Sequence, residues 1–261
     1  TLFPYTTLVR SCPTENDGLK TVYGRPVEAE AHRFYHEGKA IDRWLEIGLD
    51  RVRTVPLSAE GEGSEVTITH RIESGTGVDL GFFIQRWTFH SAAVQVRFTF
   101  NLSDAAGEYP RIGVRCDLPR QWSAVKYLGL GPHENYPDRL DGAWVGEHQA
   151  TVDELYVPYI VPQEHGLRCR MRRLDLVGGG EEALRISGAG AWSFALQKYS
   201  IEQLWKTAHS DELKDEDVYH LYLDAAHRGV GTATCGPDTR EEYRLRGGVY
   251  QLELLFEATV P

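Results

Sequence analysis

Apolar and polar residues alternate in short runs along most of this chain. Val66, Ile68 and Ile72 are interleaved with Thr67 and Arg71, and Val94, Val96, Phe98 and Phe100 with Gln95, Arg97 and Thr99. The same period of two recurs at Ile112, Val114, Cys116 and Leu118; at Trp192, Phe194 and Leu196; at Tyr219, Leu221 and Leu223; and at Tyr250, Leu252, Leu254 and Phe256. Successive side chains of a strand point to opposite faces, so each run gives a strand one apolar face. Two stacked antiparallel sheets would bury those faces together, which predicts an all-β sandwich. Phe82-Phe83-Ile84 breaks the alternation, as a central strand buried on both faces would.

Helical periodicity is scarce, and one short helix is expected. Ser200 followed three residues later by Gln203 reads as a capping box, with Leu204 and Trp205 as an apolar edge and the helix ending before His209. Val27 to Leu49 carries Phe34, Ile41, Trp44 and Leu45 at loosely helical spacing, interrupted by Gly38, and reads as a loop with a helical end. The acidic stretch from Asp211 to Asp217 lacks the glycine-centred spacing of a calcium loop and reads as a solvated turn. Residues 1–11 show no periodicity and resemble a translated adapter; they are expected to be a non-native or disordered leader, with the domain running from 12 to 261.

Composition narrows the function. With 28 Lys+Arg against 38 Asp+Glu the net charge is -10, which disfavours a phosphate-tracking surface and so a nucleic-acid partner. No apolar run reaches the length of a spanning helix, so no membrane partner is expected. Cys12, Cys116, Cys169 and Cys235 lie far apart and form no CxxC pair, which predicts reduced thiols in a cytoplasmic protein rather than a zinc site. P-loop, dinucleotide, GxSxG and HExxH patterns are missing, so cofactor chemistry has no handle.

Three segments are dense in chemistry. Gly129 to Arg139 is a loop rich in glycine and proline in which His133 and Glu134 are candidates for an acid/base pair; the plainer reading is a structural corner bridged by Asp138 and Arg139. Tyr156 to Cys169 mixes aromatics with Gln163, Glu164, His165 and Arg168, the mixture a sugar site uses, although Pro158 and Pro162 favour an ordinary strand edge. In the third, Asp224 to Pro237, small residues let the backbone pass close to a ligand or, more commonly, to another sheet.

Taken in order, these segments resemble the C-terminal domain of the long β-galactosidases of glycoside hydrolase family 2, the β-galactosidase small chain. The resemblance runs through Pro13-Thr14-Glu15-Asn16-Asp17-Gly18, the GLGPHENYPDR loop from Gly129, and the YVPYIVPQEHGLRCR stretch from Tyr156. It continues at Tyr199-Ser200, at Thr207-Ala208-His209 and in the HRGVG and CGP elements from His227. It implies a large antiparallel super-sandwich similar to the galactose mutarotase fold. It also implies that the sugar-binding, immunoglobulin-like and barrel domains of the family would precede residue 12.

The family's two catalytic glutamates sit in that barrel, and a retaining glycosidase needs two carboxyl groups about 5–5.5 Å apart. The resemblance therefore implies no catalytic residue here and no hydrolysis by this chain alone. It implies partnership with a galactoside, with the barrel of the same enzyme, and with further copies of the chain in a homo-oligomer. No cofactor is expected in this chain, the magnesium and sodium of full-length family enzymes being bound by other domains. Asn16, Asp17 and Gly18 fall where the family carries a mobile loop at the sugar pocket. Cys235 stands where the family places an aromatic platform for the sugar, and a thiol offers no such face. Whether substrate preference shifts or another aromatic such as Trp205 takes over stays open. The family varies at the positions of His133 and His165, so neither is an obligatory proton carrier. The alternative is a stand-alone aldose mutarotase-like enzyme using His70, His90, His133 or Glu134 as acid and base, but the motif contexts of those enzymes are missing here.

Overall fold

A computed structural model of the chain describes residues 40–179, 183–230 and 238–259. The period-two runs become antiparallel strands: β1 (Arg53–Glu62), β2 (Glu65–Glu73), β3 (Asp79–Phe89), β4 (Ala93–Leu102), β5 (Arg111–Pro119), β6 (Ala124–Gly131), β7 (Trp144–Thr151), β8 (Arg168–Val177), β9 (Ala183–Gln197), β10 (Val218–His227) and β11 (Gly248–Thr259). Hydrogen bonding connects them in the order β1-β2-β3-β4-β11-β9-β8-β6-β7, with β10 between β9 and β5.

Strand β9 is where the sheet forks. One of its edges pairs with β8. Along the other edge, Ala183–Ala189 pairs with β11, whereas Ser193–Gln197 pairs with β10. Gly190, between the two halves, has φ +82°, a left-handed conformation that only glycine adopts freely. The inward faces of the two branches meet in one core. Phe83, Phe98, Phe100, Leu252 and Leu254 come from one branch, and Val114, Leu118, Leu221 and Leu223 from the other. Phe83 stacks on Phe100 with ring centroids 4.8 Å apart.

Three short helices occur among the described residues, not one: α1 (Ala40–Ile47), α2 (Val152–Leu155) and α3 (Ile201–Lys206). Helix α1 is the helical end expected of Val27 to Leu49; it seats Trp44, 1% exposed, with its indole N–H donating to the Glu108 carbonyl at 3.0 Å. Helix α3 is capped as predicted on one side only. The Ser200 hydroxyl accepts from the Gln203 amide at 3.3 Å, but the Ser200 amide donates to Glu216 at 2.7 Å, and the Gln203 side chain turns instead to the backbone of Lys214. A longer-range carboxylate has replaced the local partner.

The acidic turn is accordingly more than solvated. The Glu216 carboxylate binds Ser200 through both oxygens and faces Nε2 of His220 at 2.7 Å. A second correction concerns Phe82-Phe83-Ile84. Strand β3 is flanked by β2 and β4 as expected, yet Phe83 is fully buried while Phe82 is 41% exposed. Among the described residues no element covers the outer face of this branch, so the ordinary alternation holds. A third concerns Tyr156 to Cys169, expected at a strand edge. The segment is a loop that enters β8 only at Arg168, because Pro158 and Pro162 withhold the donors a ladder needs.

These placements set a contrast measurable by urea denaturation. Phe83→Ala should cost about 3–5 kcal/mol through lost burial and a residual cavity, and Phe82→Ala no more than about 0.5 kcal/mol. Equal costs would contradict the one-sided burial of β3.

Candidate functional site

The three dense segments, far apart in sequence, are tied together at one end of the sandwich. The first is shaped by its own turn: Pro137 presets the backbone after Tyr136, and the Arg139 amide closes on the Tyr136 carbonyl at 2.8 Å. Asn135, 1% exposed, then holds the second segment. Its amide donates to the Leu167 carbonyl at 2.8 Å, and its side-chain oxygen accepts from the Cys169 amide at 2.9 Å. The third segment is held by Asp138, whose carboxylate accepts from the Val230 amide at 2.9 Å. A Cβ on Gly229 would come within 2.6 Å of that carboxyl, so the close approach read from the small residues is to a neighbouring loop of the same chain. Asp138 therefore does not bridge Arg139, as the corner reading had it. Arg139 pairs with Glu134 at 2.5 Å.

Glu134 is the knot between the first two segments. Its carboxylate accepts from the Tyr159 hydroxyl at 2.5 Å, the Gly166 amide at 2.7 Å and the Arg139 guanidinium. Burial opposes the charge, but these three donors outweigh it and hold the carboxyl below the usual carboxylate range. It is an anion at neutral pH, with no proton to give. His133, the residue before it, is exposed and is not among the donors to this carboxylate, so the two do not form an acid/base pair. Both line a cleft of about 460 Å³ together with Gln149, Glu154, Tyr156 and Arg168. His70, on β2, packs against the Phe83 ring and His90 lies in the turn after β3, and neither lines the cleft.

Beneath the loops lies a buried ionic group. Arg111 of β5 donates to both oxygens of Asp224, at 3.3 and 2.5 Å, and to Glu164 at 3.2 Å. All three are at most 3% exposed. One guanidinium cannot neutralise two carboxylates, and the shorter pairing goes to Asp224. Burial consequently dominates at Glu164 and pushes it up to about 7 despite the attraction of Arg111. Burial also raises Asp224. His227 is carried down to about 3, first by burial and then by the nearby Arg111 charge, so it is neutral. Its Nδ1 faces the Arg228 carbonyl at 2.6 Å, which fixes the proton on that nitrogen, and its ring meets Tyr136 edge-on at 5.4 Å.

A second ionic group clamps the chain on both sides of 231–237. Arg228 pairs with Glu108 at 3.3 Å and with Asp238 at 2.7 Å, and Arg244 reaches the same two carboxylates at 3.2 and 3.1 Å. Of the predicted site residues, His133 and Glu134 fall on the cleft, while Asn16, Asp17, Gly18 and Cys235 lie outside the described residues. Pattern reading missed Arg111, Glu108, Arg228 and Arg244 as organisers. No local signal marks them, because their partners stand up to 136 positions away. Among the described residues no three His, Cys, Asp or Glu side chains gather as metal ligands.

Two outcomes test this arrangement. Glu134→Gln should cost about 2–3 kcal/mol by replacing a charged acceptor with a neutral one, whereas Arg139→Ala, removing a half-exposed partner, should cost about 1 kcal/mol or less; urea titration of both separates a knot from a surface pair. For Glu164 the folded value lies above the unfolded one. Its contribution is therefore complete below about pH 4.5 and lost as pH rises through about 7. The stability of Glu164→Gln relative to wild type should rise across that interval and level off above it; a pH-independent difference would refute the assignment.

Comparison with known proteins now places the chain. The model of the β-galactosidase small chain matches residues 4–256. A β-galactosidase from Vibrio cholerae is 34% identical over 258 residues, covering 94% of this chain but 24% of that enzyme. One from Arthrobacter is 32% identical, covering 82% of this chain and 22% of that enzyme. The chain thus spans about a quarter of the length of the curated relatives it matches. Among solved structures it is similar to a galactose mutarotase-like protein from Lactobacillus casei, at 13% identity and a TM-score of 0.38, covering 77% of this chain and 72% of that one. On the match along nearly its whole length, the chain belongs to the β-galactosidase small-chain family.

Proposed function

We propose that this chain serves as the sugar-contacting, non-hydrolytic part of a β-galactosidase, completing the substrate pocket of a catalytic barrel without breaking the glycosidic bond. The observation that carries the reading is the family match over residues 4–256. The state of the carboxyl groups supports it. Glu164 and Asp224 share Arg111 but are 2% and 1% exposed, closed to a saccharide. Glu134 is tied as an anion, and the Glu154 carboxyl, which accepts from the amide and hydroxyl of Thr151 through one oxygen, is held below its usual range and is no acid. None of these is an open acid beside an open nucleophile, which retaining hydrolysis requires.

On this reading the chain acts by presenting loops. The clamp of Arg228 and Arg244 on Asp238 and Glu108 fixes the backbone on either side of 231–237, the segment that contains Cys235. In the same reading Asn16, Asp17 and Gly18 contribute to the sugar pocket, where excluding water favours reaction at the bond. His133 and Glu134 contribute the neighbouring cleft rather than a proton. The chain needs no cofactor of its own, and the partner it completes is the barrel of the same enzyme.

A chromogenic galactoside assay tests this directly. Residues 1–261 alone should show no turnover, and mixing or fusing them with the upstream portion of a small-chain-containing β-galactosidase should restore it. Turnover by the purified chain alone would end the proposal, as would full activity of the upstream portion without it.

A further inference from the structure

The fork in β9 leaves a gap in the sheet that the proposed function does not use. Between Arg168 and Arg173 the pairing of β8 with β9 slips twice: Arg168 is opposite Phe194, Met171 opposite Trp192, and Arg173 opposite Ser187. Gly190 and Ala191 have no register partner on β8, β10 or β11, and neither do Arg170 and Arg172. The two strands bulge apart at the same level. Met171 turns into the core, fully buried, so Arg170 and Arg172 on either side of it both face outward and are exposed. Together with Gly188, Gly190 and Ala191 they line a hollow of about 410 Å³.

Two features make this hollow more than a packing fault. Arg170 has φ +56° and is the one non-glycine residue with positive φ among those described. A long side chain is held in a left-handed backbone at an energetic cost, and such strain collects where a side chain must be aimed. Moreover, neither guanidinium has a hydrogen-bond or ion-pair partner among the described residues, although the chain carries a net charge of -10 and its neighbour Arg173 is engaged by both Glu147 and Asp175. Two cations left unneutralised on an acidic protein, beside a left-handed glycine and two residues without a register partner, match the requirements of an oxyanion: charge, forked donors and a concave backbone.

We propose that the gap between β8 and β9 binds a phosphate group, held by the guanidinium groups of Arg170 and Arg172 and by the backbone amides of Gly190 and Ala191. The group can be free phosphate or the phosphate of a sugar ester. The space beside Gly190 is open, since a Cβ there would meet nothing within 4 Å. The site binds without chemistry, and it stands independently of any role in galactoside hydrolysis.

The test is titration of the full chain with inorganic phosphate, at ionic strength held constant with sodium chloride, read by calorimetry and by melting temperature. Wild type should bind saturably and melt higher with phosphate. Arg172→Ala and Arg170→Gly should each weaken binding by about tenfold or more. Without phosphate, Arg170→Gly should melt above wild type, because glycine relieves the left-handed backbone; this shows that a loss of binding is not a loss of fold. A hexose phosphate provides the second arm: tighter binding than inorganic phosphate identifies an ester as the ligand, and equal binding identifies the free ion. No saturable binding up to about 10 mM, which is weaker than about −3 kcal/mol, would overturn the proposal. So would affinity that is unchanged when Arg170→Gly and Arg172→Ala are combined.

Discussion

One buried cation sets the terms for the loop end of this domain. Arg111 sits on a strand facing the core, 3% exposed, where an unpaired guanidinium would be prohibitively costly. It must find carboxylates, and the two within reach come from β10 and from the loop before β8. Meeting that demand fixes where the loop from Tyr156 to Leu167 lies relative to β5 and β10. Such a group adds little net stability compared with apolar packing, since desolvation cancels much of the attraction. Its consequence is geometric: the loop has one place to go.

From that placement the electrostatics of the site follow. Two carboxyls around one guanidinium leave an excess negative charge in a dry interior, which Glu164 relieves by holding a proton near neutral pH. His227 beside the same Arg111 is kept neutral, and His165 is lowered in turn, chiefly by burial. Charge is concentrated instead in Glu134, where three donors repay its burial. The interior is thus close to neutral, and the fixed anion lies at the edge of the cleft.

The other organising feature is topological. A single strand, β9, belongs to both branches of the sheet, and the change of partner at Gly190 lets the two inner faces close over one core. The same change forces β8 and β9 out of register, so the hollow beside Arg170 and Arg172 arises from the way the sandwich is closed. The loop end and the hollow lie along the same strands, β8 and β9, and a substitution that repacked Trp192 would reach both. Gly188 shows how little room there is: a Cβ there would come within 2.5 Å of the Trp192 indole nitrogen.

The alternation of Val96, Phe98 and Phe100, or of Ile112, Val114 and Leu118, was enough to establish antiparallel strands with one buried face. It is a local property, set by the two-residue repeat of an extended backbone. The start of helix α3 was equally legible, since Ser200 and Gln203 lie within one turn. What the sequence could not decide is which distant group completes each local preference. Glu216 displaced Gln203 at the Ser200 amide, Glu134 took Arg139 from Asp138, and the open outer face of β3 exposed Phe82. Arg111 and Asp224 are 113 positions apart, and nothing in their spacing announces the pair. Period and turn chemistry are written in neighbouring residues. The partners of buried charges depend on which strands lie side by side, and that is fixed only once the whole sheet has closed.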